Sequence, residues 1–163
     1  MGCRHPHQER PLPEGAAPVK AWADSATDAS LPALGSALMK YLPDHSGSFG
    51  GGALETMPGY VRRLYSHGRT KISATIAEPG KTPISYDDWV KMSAPSPAVA
   101  LDVPVNMGAG FYDCSGDGTQ GLCNVHIHLK AGYHIELMGE GTAFKADFDD
   151  LLRGLPLREL AKR

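Results

Sequence analysis

The sequence predicts an α+β domain: an antiparallel sheet of about five strands, packed by an N-terminal and a C-terminal helix in the order α-β-β-α-β-β-β-α. Three observations carry this reading. Cys123 to Met138, CNVHIHLKAGYHIELM, alternates apolar and polar residues as a half-buried hairpin does. Tyr60 to Tyr65 and Thr70 to Ala77 alternate in the same way about Ser66, His67 and Gly68, with Ile72, Ala74 and Ile76 on the buried side. Between Thr142 and Leu155, Phe144, Phe148, Leu151, Leu152 and Leu155 recur at helical spacing and Pro156 follows.

Taken in order, residues 1–29 show no apolar periodicity and are rich in Pro, Ala and charge, so they read as a flexible tether. Residues 30–163 form the single domain. Its first helix is capped by Ser30, tolerates Pro32 in its first turn and aligns Leu31, Leu34, Leu38, Tyr41 and Leu42 until Pro43. The following DHSGSFGGGALE reads as a glycine-rich loop, without the spacing of a phosphate-binding motif. In the first hairpin, Arg62, Arg63 and Arg69 are expected on a solvated edge. ISYDDWVKMS starts a short helix at Ser85, burying Tyr86, Trp89 and Val90. Its acids Asp87 and Asp88 suit the first-turn dipole better than a catalytic pair. This helix is expected at an edge or on the face away from the terminal helices. The prolines of SAPSPAVALDVPVNMGAG exclude a regular helix before the strand that ends at Cys114.

Burial chooses the register of the CNVHIHLKAGYHIELM hairpin. Leu129 is expected opposite Ile135, leaving Ala131, Gly132 and Tyr133 as the loop. His128 then faces Glu136, His126 faces Met138, and His134 lies diagonal to His128. These imidazoles and the carboxylate of Glu136 are of the ligand types that zinc or copper takes, which makes His126, His128, His134 and Glu136 the candidate metal set. The alternative is that they are the polar side of a half-buried sheet, with no cofactor.

Pairing Phe111–Cys114 against Cys123–His126 puts Cys114 opposite Cys123 and Tyr112 opposite Val125. A disulfide closing SGDGTQGL then follows easily; the alternative is a pair of reduced, half-buried cysteines in a cytosolic protein. The same loop places Asp113, Ser115, Asp117, Gly118 and Thr119 at calcium-loop spacing, but Asn124 stands where the bidentate glutamate belongs. No nucleophile motif such as G-x-S-x-G occurs, so no catalytic residue is assigned.

The pair Gly2-Cys3 resembles the processing site of bacterial exported lipoproteins, in which a small residue precedes a cysteine that is lipidated. The first thirty residues hold no apolar signal-peptide core, so the resemblance implies that Met1 stands in place of a removed leader. It further implies lipidation of Cys3, a tether leading to a folded domain, a periplasmic or outer-envelope location, and membrane contact only through that anchor. The element order is loosely similar to that of the small PsbP-like α/β sandwich domains of some exported lipoproteins.

A net charge of −2 gives no reason to expect a nucleic-acid partner. The leading expectation is a non-enzymatic envelope domain that binds a protein partner or small ligand, of the immunity-protein type. The second is a metal-binding protein or metal-dependent enzyme using His126, His128 and His134. The third is a cytosolic structural domain.

Overall fold

Seven strands, each antiparallel to its neighbours, form one curled, half-barrel sheet in the computed structural model, which describes residues 37–114, 123–140 and 143–163. They are β1 (His45–Ser46), β2 (Phe49–Met57), β3 (Tyr60–His67), β4 (Thr70–Ala77), β5 (Gly108–Cys114), β6 (Cys123–Leu129) and β7 (His134–Glu140), in the spatial order β1-β2-β3-β4-β7-β6-β5. Among the described residues three short helices accompany them with both ends in view: α1 (Tyr86–Ser93), α2 (Lys145–Gly154) and α3 (Leu157–Ala161). The expected five-strand order α-β-β-α-β-β-β-α is therefore wrong. Of the expected first helix only a turn at 37–39 falls within the described residues.

The two added strands lie where a glycine-rich loop was expected. Gly50, Gly51 and Gly52 carry no side chains whose alternation would mark a strand, and β3 supplies the pairing instead. A Cβ on Gly51 would lie 2.6 Å from Cδ of Arg63, so the bare backbone makes room for that side chain. The join to β3 is a Pro58-Gly59 turn with Gly59 at φ +79°, the pairing a type II turn demands. Leaving β3, Gly68 takes φ +59° at the first position of a two-residue hairpin loop.

One face of the sheet is the core. Val61, Tyr65, Ile72, Ala74, Ile76, Ile135, Leu137, Val125, Ile127, Leu129 and Tyr112 are all buried, together with Leu38, Tyr41, Leu42, Phe148, Leu151, Leu152, Leu157 and Leu160. Arg63 sits among them, 8% exposed, where a solvated edge was expected. The alternation of β3 explains this, since Val61, Arg63 and Tyr65 necessarily share a side. Asp44 receives its Nη1 at 2.5 Å, and Tyr65 donates to the Pro43 carbonyl at 2.8 Å. Burial, eased by Arg63, pushes the Tyr65 phenol up to about 12.

The helix expected from Thr142 begins at Lys145, and a further short helix, α3, follows it after Pro156. Phe144 stands at its N-cap, 54% exposed, while the Phe144 backbone N–H donates to Asp147 at 2.8 Å. α2 closes on β1: Ser46 Oγ donates to the Leu151 carbonyl at 2.6 Å, and the Ser48 N–H donates to Asp150, holding that exposed carboxyl below its usual range. Gly154 makes the approach possible, because a Cβ there would meet Ser46 Oγ and lie 2.6 Å from the Gly47 nitrogen. Gly154→Val should therefore lower stability by roughly 1–3 kcal/mol through forced separation of α2 from β1. Urea unfolding midpoints test this, and an unshifted midpoint would show that the helix end gives way freely.

Candidate functional site

The hairpin of β6 and β7 carries the histidines on the sheet face opposite the core, as expected, but two residues out of the expected register. His128 pairs with His134, His126 with Glu136 and Ile127 with Ile135. The loop is Lys130, Ala131 and Gly132, where Gly132 adopts φ +96° and the Leu129 N–H donates to the Tyr133 carbonyl at 2.9 Å. A shift of two preserves every face, so burial alone does not separate the two registers. Loop geometry does: the positive-φ glycine at the third loop position is a property of the three-residue hairpin turn.

Across the outer face this register builds two rows. One runs Arg62, Thr75, Glu136, His126, Phe111; the other runs Tyr60, Ala77, His134, His128, Ala109. Helix α1 lies over them. Ser85 accepts from the Asp88 N–H at 3.2 Å and so caps it, which aims Tyr86 and Trp89 at the sheet. The Trp89 ring stands 5.4 Å from His134, 6.0 Å from His126, 6.1 Å from His128 and 6.4 Å from Phe111. Tyr86 meets His128 edge-on at 6.1 Å.

The imidazoles thus share one face and are ranged around the Trp89 indole. His126 and His134 stack at 5.9 Å. His128 is buried, with Nδ1 3.0 Å from the Leu129 carbonyl and Nε2 3.2 Å from the Ile84 carbonyl. Glu136 lies 3.8 Å from Nδ1 of His126, and not opposite His128. Among the described residues no three His, Cys, Asp or Glu side chains, the expected set His126, His128, His134 and Glu136 included, are placed to hold one metal ion. Burial, and then the neighbouring rings of His126 and His128, hold the His134 imidazole down to about 4.

At the end of the β5–β6 pair the expected register is found: Cys114 faces Cys123 and Tyr112 faces Val125. The sulfurs lie at bonding distance, 2.13 Å, with Cα atoms 4.1 Å apart. Tyr112 donates to Asp149, and burial with that carboxylate raises its phenol. The calcium-like spacing in residues 115–122, and Cys3 with its lipidation site, lie outside the described residues.

Two cavities open where α1 and residues 94–105 run beside β5. Val99 donates its N–H to the Gly110 carbonyl at 2.7 Å, and Tyr112 donates to the Pro97 carbonyl at 2.9 Å, which ties this segment to the strand's outer edge. Near the start of β5 lies a space of about 310 Å³ among Tyr86, Val90, Leu101, Val103, Val105 and Phe111. Near its end lies a space of about 360 Å³ among Trp89, Met92, Ser96, Phe111, Asp113 and His126. Both fall in the size range of small-ligand sites. Phe111 belongs to both. Val90, Met92 and Val105 leave 36%, 65% and 94% of their surface exposed beside them. Sequence reasoning expected Val90 to be buried, passed over Met92 and Val105, and placed Phe111 on the strand and Asp113 in the calcium-like spacing without joining either to this groove, because the irregular segment beside them gives no periodicity from which to infer what it covers.

Compared with protein-family models, with curated proteins and with solved structures, the chain matches none.

Proposed function

We propose that the chain is a non-enzymatic binding domain of the cell-envelope lipoprotein type, of the immunity-protein kind, and that it takes its partner or ligand in the groove between α1 and β5. The observation that carries this reading is the pair of cavities joined at Phe111 and rimmed by exposed Val90, Met92 and Val105. Apolar side chains left exposed around concave space are the usual mark of a surface that something covers. A bonded Cys114–Cys123 pair agrees with an oxidising compartment. The lipid anchor at Cys3 rests on the Gly2-Cys3 resemblance alone.

A photo-crosslinking residue at Met92, compared with one at Met57 on β2, which is also exposed, tests the location of binding in the native host. Crosslinks from position 92 with none from 57 are expected; equal labelling from both positions would remove the groove from the proposal. Peptide mass mapping of the same purified protein should show lipid on Cys3 and loss of both thiol hydrogens at Cys114 and Cys123. Free thiols at both and an unmodified Cys3 would place the chain elsewhere.

A further inference from the structure

Resting on that reading of the groove, the composition of its two halves narrows what the groove takes. The cavity near the start of β5 is mostly apolar, lined by Val90, Leu101, Val103, Val105 and Phe111 with Tyr86. The cavity near its end differs. Trp89 and Phe111 both line it, their rings 6.4 Å apart and inclined at 65°. Asp113, exposed at the rim, is the charged side chain of the lining, and among the described residues no Lys or Arg lines either cavity. The nearby cations are otherwise engaged: Lys91 of α1 lies 3.8 Å from Asp88, and Lys145 sits over the Tyr112 ring at 5.1 Å. Tyr112 and His126 complete the lining rings, and His126 turns Nδ1 to within 3.8 Å of Glu136, which places a second carboxylate behind the same wall.

Aromatic faces carry negative electrostatic potential, and a neighbouring carboxylate adds to it, so these walls favour a cation over an anion. We propose that the cavity among Trp89, Phe111, His126 and Asp113 is a site for an alkylammonium group, with the adjoining apolar cavity taking the hydrocarbon part of the same ligand. The cation rests against the Trp89 and Phe111 rings while Asp113 supplies the counter-charge. A free quaternary amine and a lysine side chain of a partner share this chemistry.

Fluorescence of Trp89 in the full chain reads the site directly once the chain's second tryptophan is removed by Trp22→Phe. The probes are choline, dimethylbutanol as its uncharged isostere, and N-acetyl-lysine methylamide. Saturable quenching or blue shift by choline is expected, with dimethylbutanol roughly tenfold weaker or worse, and Asp113→Asn weakening choline by a similar factor. Stronger binding of the lysine amide than of choline assigns the site to a partner's side chain, and the reverse order assigns it to a small amine. Equal binding of choline and dimethylbutanol would overturn the charge preference while leaving the groove a binding site. No response of Trp89 to any of the three probes, in protein whose unfolding midpoint is unchanged, would overturn both. Circular dichroism of the Asp113→Asn chain separates loss of binding from loss of fold.

Discussion

Phe148→Ala should lower the stability of the chain by about 3–5 kcal/mol, and Leu152→Ala by about 2–4 kcal/mol. Phe148 is completely buried, its ring edge-on to Tyr112 at 6.4 Å, and it fills the space over Gly139, where a Cβ would lie 3.0 Å from its ring. Truncation removes the apolar transfer gain and leaves a cavity that β6 and β7, fixed by their ladder, close only in part. Leu152, 7% exposed, lies nearer the rim and has more freedom to relax. Phe144→Ala is the control. Phe144 falls on the same helical stripe in the sequence but is 54% exposed at the N-cap, so its removal should change stability by no more than about 0.5 kcal/mol. Urea melts of the three variants, run with the disulfide pair in one redox state, decide the matter. Three equal losses would mean that the helix starts a turn earlier and buries its whole stripe.

Those three residues show what a sequence does and does not disclose about this fold. Periodicity is a local property, and it assigned Phe148, Leu151 and Leu152 to the core because neighbours on one helix face share a fate. Where the helix begins is decided by capping, and the Asp147 carboxylate accepting from the Phe144 N–H overrode the apolar pattern. In the hairpin, the alternation settled which side each histidine takes. The two-residue register difference is invisible to alternation and was resolved by the turn at Gly132. The Cys114–Cys123 register was legible because, among the pairings two residues apart that all bury Tyr112 and Val125, one sets the two cysteines face to face. Strand β2 was illegible for the opposite reason: a run of three glycines has no faces, and only β3 beside it makes the run a strand. Trp89 was rightly read as a covered residue, but nothing local says that the surface covering it is the histidine face. That contact joins elements about forty residues apart, and it is what turns an apparent ligand set into the lining of an aromatic contact.

The second large effect concerns acid. His134, held down to about 4 by burial and by His126 and His128, titrates near 6.5 in an unfolded chain. Between those values the unfolded state takes up a proton that the folded state refuses, so stability must fall as pH drops. The sign follows from the base being neutral when folded: the contribution is fully present above pH 6.5 and is lost progressively toward pH 4. The full shift corresponds to about 3 kcal/mol, and because the ring is only partly buried, solvent screening reduces the expected loss to roughly 1–2 kcal/mol. Charged groups stand about the same face: Glu136 faces His126, and Asp87 and Asp88 stand on α1 with Lys91. Away from it, Asp150, held below its usual range by the Ser48 N–H, contributes a loss of the same sign at lower pH. His134→Gln separates them, since glutamine keeps a polar side chain on the face and removes the proton uptake. Urea midpoints of the parent and the variant, followed from pH 7 to 4, should converge as the pH falls, the parent losing stability faster. Parallel curves would show that His134 is free to protonate in place, and that the indole of Trp89 does not shield it from water.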